Sequence, residues 1–197
     1  MQIKKIDIRS YIHYKLLSSI YAGSALGSIF VIYATLPPSL FSLGGIALAI
    51  GGWAIAMFYI RLINIGSFFI IGGVAEIMIL LLTLSFVAFH DAAWISLFVY
   101  CLYQLIFLFG NYLVRAETKL LSRTALFSVF DKAKQIGYLA GLGLSFAAYQ
   151  ILGSLGIDSS KEQIVFLYTA LALLQILVLI FYFRAFVRYG LRCEKRG

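Results

Sequence analysis

The sequence is short of charge, and this shortage excludes most soluble classes of protein. Only 12% of its 197 residues are charged, whereas 62% are hydrophobic. Ordinary soluble domains are nearer one quarter charged and half apolar. A soluble chain of this length has too little polar surface to cover so many apolar side chains, and so apolar a chain does not stay disordered. The composition therefore indicates that the lipid bilayer is the solvent of this protein.

Cysteine and histidine are also scarce, with two residues of each. Cys101 lies within an apolar run and Cys193 lies in a basic tail, so we expect neither a disulfide nor a metal site. The sequence contains no zinc-protease, nucleophile-elbow, phosphate-loop or paired-cysteine motif. We therefore predict a protein that is not an enzyme and that needs no cofactor.

Long apolar runs fill most of the chain, and six of them are long enough to cross a hydrocarbon core of about 30 Å. Pro37 and Pro38 are the only prolines, and they separate the first two runs. We predict an all-α polytopic integral membrane protein with six transmembrane helices in one domain over 1–197. The spans are predicted at 16–36, 40–61, 66–88, 93–114, 135–154 and 164–183, and the helix of the fifth span is expected to begin near Thr124.

The basic residues flank the apolar runs, so the net charge of +8 indicates membrane orientation rather than nucleic-acid binding. An arm at 1–15 holds four Lys or Arg residues, the turn at Arg61 one, a central link at 115–134 five, and a tail at 184–197 five. The other connections hold only Lys161. The positive-inside rule therefore places both termini and the central link in the cytoplasm. We expect the arm to lie at the headgroup level, the link to be a loop, and the membrane to be a bacterial inner membrane.

The central link divides the six spans into two sets of three. Because three is an odd number, the two sets have opposite orientations in the membrane. Two sets of three helices with opposite orientations are what an inverted 3+3 repeat produces. The sequence similarity between the halves is faint, so the repeat is a hypothesis.

One carboxyl group lies deep in the predicted hydrocarbon region. Glu76 is ten residues into the third span, and no Lys or Arg lies at the same depth. An ionisable group at that depth is costly and is a functional candidate. Glu76 is either protonated and hydrogen-bonded to a Gln, Ser or Tyr of a neighbouring helix, or it faces water in a cavity as part of a substrate or ion path. The sequence leaves both alternatives open.

Other polar and small residues mark the faces of the spans. Gln104 and Asn111 are seven residues apart and share a face, which we expect to point inward. Two GxxxG pairs predict close helix packing, and they consist of Gly23 with Gly27 and Gly137 with Gly141. We favour packing within the chain for the first pair, while contact between two chains is the alternative for both.

The segment 122–146, SRTALFSVFDKAKQIGYLAGLGLSF, resembles the region between helices four and five of major facilitator superfamily transporters. More loosely, all six spans resemble one half of that fold. The family's motif between helices two and three is incomplete here, because Arg61–Gly66 reads RLINIG and lacks its acid and its second basic residue. The resemblance implies that helices one, two, four and five line a cavity contacted by Tyr21, Ser24, Gln104 and Asn111. It also implies that the third helix, which carries Glu76, is peripheral.

A chain of half the usual length for that family implies pairing. We therefore expect a six-helix half-transporter that moves a small solute as a homodimer. The alternatives are a non-catalytic membrane subunit or assembly factor of a larger complex, and the substrate-binding subunit of an energy-coupled vitamin-uptake system. The expected partners are the lipid bilayer and either a second copy or another membrane subunit, and nucleic acid is not expected.

Overall fold

A computed structural model describes residues 3–120 and 124–188, which form a helical bundle with a short two-stranded ribbon at one end. The elements are β1 (Ile3–Ile6), α1 (Ile8–Tyr33), α2 (Pro38–Met57), α3 (Tyr59–Leu62), α4 (Ile65–Phe89), α5 (Ile95–Leu120), α6 (Thr124–Ser154), α7 (Ser160–Ala185) and β2 (Phe186–Arg188).

Six of the described helices are long and apolar enough to cross a membrane: α1, α2, α4, α5, α6 and α7. The predicted class, an all-α polytopic integral membrane protein, is confirmed. The two prolines separate the first two spans as predicted, because α1 ends at Tyr33 and α2 begins at Pro38, directly after Pro37. The fifth spanning helix, α6, begins at Thr124 as predicted.

The connections contain more helix than expected. The described part of the central link is helical rather than a loop, because α5 continues to Leu120 and α6 begins at Thr124. Part of the arm is also helical, because α1 begins at Ile8 and buries Tyr11 and Tyr14. Apolar and aromatic residues interleaved with the basic ones supply a buried face, so both helices extend beyond the purely apolar runs. The rest of the tail after Arg188 lies outside the described residues.

The ribbon was not predicted from the sequence. β1 pairs with β2 in antiparallel fashion, and the Asp7 amide donates a hydrogen bond of 2.7 Å to the Ala185 carbonyl. The ribbon thus fastens the start of α1 to the end of α7. We call this end of the bundle the ribbon end, and the opposite end, with the turns near Pro37, Asp91 and Asp158, the turn end.

Four helices form the centre of the bundle. α1 packs on α7, α7 on α4, and α4 on α5, while α5 and α1 close the ring through a smaller contact. The two remaining long helices are attached outside this ring, α6 on α1 with a smaller contact to α7, and α2 on α5.

Most of the helix pairs have the symmetry that a 3+3 repeat would produce. Exchanging α1, α2 and α4 for α5, α6 and α7 turns the α1–α6 pair into α5–α2 and the α1–α7 pair into α5–α4. The α4–α7 and α1–α5 pairs map onto themselves. All of these pairs are present, although α1–α6 is packed far more closely than α2–α5. The α6–α7 pair departs from the symmetry, because α2 and α4 have no comparable contact among the described residues.

Glycines bring α1 and α6 into backbone contact. A Cβ atom at Gly23 would lie 2.5 Å from the Tyr138 carbonyl oxygen, and one at Gly137 would lie 2.6 Å from that of Leu16. A Cβ atom at Gly141 would overlap the carbonyl oxygen of Ile20. These glycines of the two GxxxG pairs therefore face each other within one chain.

The fourth glycine of these pairs has more room. A Cβ atom at Gly27 would have its nearest neighbour, the Ser145 hydroxyl, at 4.0 Å. The contact between α1 and α6 is thus closest around Gly141 and looser toward the turn end.

Helix α2 buries none of its residues. Gly44 and Gly51 face α5, against Tyr100 and Leu108. The glycines that follow each of them, Gly45 and Gly52, have open space where a side chain would be. One long face of α2 is therefore unpartnered within residues 3–120 and 124–188.

Candidate functional site

Glu76 lies in the core of the bundle, where three helices meet. Its side chain is only 4% exposed. The Tyr14 hydroxyl of α1 donates to Oε1 at 2.6 Å, and the Ser18 hydroxyl, one turn further along α1, donates to the same oxygen at 3.4 Å. Gln175 of α7 donates to Oε2 at 2.7 Å. Glu76 thus links α1, α4 and α7.

Gln175 holds both the side chain and the backbone of Glu76. Its Nε2 also donates to the Glu76 carbonyl oxygen at 3.0 Å, and the residue is completely buried. Within the described residues, its Oε1 has no hydrogen-bond partner. Every described side chain that hydrogen-bonds to the Glu76 carboxyl group is placed as a donor, and a hydroxyl group can also accept a hydrogen bond. The cluster can therefore hold a carboxylate, and it can also hold a protonated carboxyl group that donates to the Tyr14 or Ser18 hydroxyl.

An ion pair lies beside this cluster, toward the ribbon end. Lys15 of α1 and Glu117 of α5 are 2.6 Å apart, and their side chains are 21% and 12% exposed. The Lys15 ammonium also lies 5.6 Å from the centre of the Tyr11 ring. Because Lys15 follows Tyr14 in the chain, the charged pair and the Glu76 cluster share the same turn of α1.

A second polar layer of buried hydroxyl groups lies nearer the turn end. Tyr21 and Thr83 are hydrogen-bonded, and Ser28 donates to the Tyr168 hydroxyl at 3.3 Å. In the described part of the chain, the buried hydroxyls of Tyr103 and Tyr149 have no partner. This layer has no charged member, so its chemistry is limited to neutral hydrogen bonding.

The residues predicted from the resemblance do not form one site. Tyr21 and Ser24 are buried in the core, where the Ser24 hydroxyl donates to the Gly141 carbonyl at 3.0 Å. Gln104 is half-buried on α5. Asn111 is exposed, so the expectation that it points inward is wrong. Glu76 is separate from all of them, with partners of its own.

Sequence reasoning missed the importance of Tyr14 and Ser18. They are four residues apart on α1 and so share a face. That spacing indicates a shared polar face on α1. Because Lys15 follows Tyr14, however, the sequence analysis placed Tyr14 in the basic arm at the membrane interface. Gln175 was noted only as a polar residue at mid-depth.

A polar cluster at the turn end joins the two halves of the chain. Asp91, which follows α4, accepts a hydrogen bond of 2.7 Å from Lys161 of α7, and His90 lies 3.2 Å from the same carboxylate. The Lys161 ammonium, with His90, holds the pKa of the Asp91 carboxyl below its ordinary value. These side chains line a cavity of about 420 Å³. The contact is exposed, and we assign it to fastening the two turns.

The comparisons with known proteins and the fold lead to a class but not to a family. No family model, curated protein or solved structure matches the chain. No group of three metal-binding side chains occurs within residues 3–120 and 124–188. The fold and its hydropathy define a six-helix polytopic integral membrane protein.

Proposed function

We propose that this chain is half of a membrane transporter, that it works as a homodimer, and that it moves a small solute between two copies. The observation that carries the proposal is that one face of α2 and one face of α6 have no partner among the described residues. A second copy would cover these faces and would supply a second wall for a solute path.

The open faces of α2 and α6 support pairing of two copies. Each carries small or polar residues at alternating spacings of three and four, which is the repeat of a helix–helix seam. The α2 stripe consists of Ser42, Gly45, Ala49, Gly52 and Ala56, and the α6 stripe consists of Ala140, Gly143, Ala147, Gln150 and Ser154. All ten are exposed except Gly52, which is half-buried. In the described part of the chain, no atom lies within 4 Å of a Cβ atom added at Gly45, Gly52 or Gly143.

The two stripes match in antiparallel register. Consecutive spans alternate in direction, so α2 and α6 run in opposite senses across the membrane. In a two-fold dimer, α2 of one copy would then pack on α6 of the other, and each copy would contribute both contacts. The facing pairs would be Ser42 with Ser154, Gly45 with Gln150, Ala49 with Ala147, Gly52 with Gly143, and Ala56 with Ala140. This register places glycine opposite glycine and gives the exposed Gln150 amide the open backbone of Gly45 as a neighbour.

The GxxxG pairs do not form this contact between copies, because Gly23, Gly137 and Gly141 already pack in the α1–α6 interface of the same chain.

The ribbon end would face the cytoplasm of a bacterial inner membrane, since it carries the basic arm, link and tail. Glu76, whose hydroxyl partners can hydrogen-bond both its ionised and its protonated form, is the candidate for proton coupling.

The first test is the oligomeric state of the purified chain in mild detergent, followed by solute exchange in proteoliposomes. We expect a particle of two chains, measured by light scattering with correction for bound detergent. We also expect the dimer to exchange at least one component of a mixture of small metabolites, detected by mass spectrometry after washing.

Two results would count against this function. A strictly monomeric chain that binds no other protein would contradict pairing. A chain that co-purifies with a different membrane protein and exchanges no solute alone would instead favour the second candidate, a non-catalytic membrane subunit or assembly factor whose open stripes bind that protein.

A further inference from the structure

An open groove of about 1170 Å³ lies at the ribbon end, between α3 and the last turns of α5. Residues near α3 form one wall and residues of α5 form the other. The lining consists of Tyr59, Ile63, Asn111, Val114, Arg115, Thr118 and Lys119. The groove is separate from the Glu76 cluster and from the stripes of α2 and α6.

Two cations dominate the charge of the groove. Arg115 and Lys119 are four residues apart, so they lie one above the other on the same face of α5. Among the residues that the structure describes, the lining contains no acidic residue. Neither cation belongs to an ion pair of the described residues. Glu117 lies between them in sequence, but its carboxylate is bound to Lys15 on another face of α5.

Neutral hydrogen-bond donors accompany the two cations. The Asn111 amide and the Tyr59 hydroxyl line the same groove. The Thr118 hydroxyl donates to the Val114 carbonyl of its own helix at 2.9 Å, so it is already engaged as a donor. The groove thus presents positive charge and free donors, which is the chemistry that a phosphate group requires.

The groove lies at the boundary between apolar and charged surface. Val114 directly precedes Arg115 and is 55% exposed, and Ile60 beside Tyr59 is 97% exposed. Phe107, two turns earlier on α5, is 58% exposed. Apolar side chains this exposed belong in hydrocarbon, and Tyr is common where hydrocarbon meets headgroups. An occupant would therefore have its charge among the cations and its apolar part along α3 and α5.

We propose that this groove binds an anionic phospholipid, with the phosphate between Arg115 and Lys119. A zwitterionic lipid carries its own ammonium next to the phosphate, and this group would be repelled by two unpaired cations. Phosphatidylglycerol, an anionic lipid, has no such group, and its acyl chains match the exposed apolar surface. Basic pockets at the membrane edge between helices are recognised sites for such headgroups. The site does not depend on whether two copies pair.

The test uses the full chain in nanodiscs made of equal parts phosphatidylethanolamine and phosphatidylglycerol. The lipid that remains with the protein after gentle detergent extraction is counted by native mass spectrometry. We expect wild type to retain phosphatidylglycerol selectively. The Arg115→Gln/Lys119→Gln variant should lose this binding by about 30-fold, whereas Arg115→Lys should keep most of it. Both residues are exposed, so the variants should fold normally, which helix content by circular dichroism checks.

The matched control is Lys132→Gln/Lys134→Gln, which removes the same charge from exposed residues of α6 outside the groove. An equal loss of phosphatidylglycerol from both double variants would show only a general effect of charge and would overturn the site. Binding of inorganic phosphate by a wild-type chain that retains no phosphatidylglycerol selectively would show that the groove binds free phosphate, and would overturn the lipid assignment.

Discussion

Replacing Gly141 by leucine should destabilise the folded bundle more than any other single glycine substitution on α6. The side chain would have to occupy the space of the Ile20 carbonyl oxygen and the Ser24 amide nitrogen, and both are backbone atoms of α1. Backbone overlap cannot be relieved by a rotamer change, so we expect a loss of about 3 kcal/mol in the free energy of unfolding. For a chain of this size, that loss corresponds to a fall in Tm of roughly 6–12 °C. Thermal unfolding in detergent, followed by helix content, measures it.

The same substitution at Gly143 is the matched control for the fold. Gly143 is two residues further along α6 and has nothing within 4 Å of an added Cβ atom. Gly143→Leu should therefore unfold near the wild-type temperature, but it should weaken the proposed contact between two copies. If Gly141→Leu and Gly143→Leu lower the Tm equally, the assignment of one inner and one outer glycine face on α6 is wrong.

Replacing Glu76 by leucine should cost about 3 kcal/mol, because the Tyr14 hydroxyl and one of the two N–H groups of the Gln175 amide would each become a buried donor without an acceptor. Adding Gln175→Leu to that variant should recover part of the loss, since the second change removes one of the unsatisfied groups. A double-mutant cycle on the free energy of unfolding gives the coupling between the two residues. A cycle without coupling would contradict the hydrogen bond between them.

The Glu76→Gln variant distinguishes the contribution of Glu76 to folding from a role in proton coupling, because glutamine can keep the hydrogen bonds but cannot ionise. The new carbonyl oxygen can still accept from Gln175, and the new amide can donate to the hydroxyls of Tyr14 and Ser18. We expect a loss of only about 1 kcal/mol. If Glu76 couples protons to solute movement, this folded variant should lose the response of proteoliposome flux to a pH gradient. Unchanged flux would assign Glu76 to helix packing alone.

Hydropathy and charge predicted the spanning helices well, since both are properties of single segments. The positions of the helix ends were harder to predict from the sequence. Tyr11 and Tyr14 lie among basic residues, and only the packed structure shows that α7 and the ribbon bury them. The break at Phe58 between α2 and α3 also has no clear signal in the sequence.

The sequence could not predict which individual glycines contact another helix, and the reason is geometric. Gly141 and Gly143 are two residues apart on one helix, so they point to different sides, and Gly44 and Gly45 differ in the same way. Periodicity identifies the faces of a helix but not the neighbour that each face meets. The sequence therefore predicted that small residues pack, whereas the structure is needed to find which glycines are already in contact.

The candidate site was predicted in part. The depth of Glu76 follows from its place in an apolar run, and its bonding to Gln, Ser and Tyr was one of the two alternatives left open. The residues suggested by the resemblance proved to be dispersed, because Tyr21 and Ser24 pack against neighbouring helices of the same chain. The depth of a residue in a span does not determine whether it faces a cavity or the core.

Disulfide cross-linking between two differently tagged copies tests the central claim, that α2 of one copy packs on α6 of another. One copy would carry Ala49→Cys and the other Ala147→Cys, with Cys101 and Cys193 replaced by serine in both. We expect an oxidised heterodimer in native membranes. We expect no heterodimer when the cysteine of the second copy is placed at Gly110, an open glycine of α5 outside both stripes. Cross-linking that is equal at Gly110, or absent at Ala147, would contradict the paired half-transporter as described.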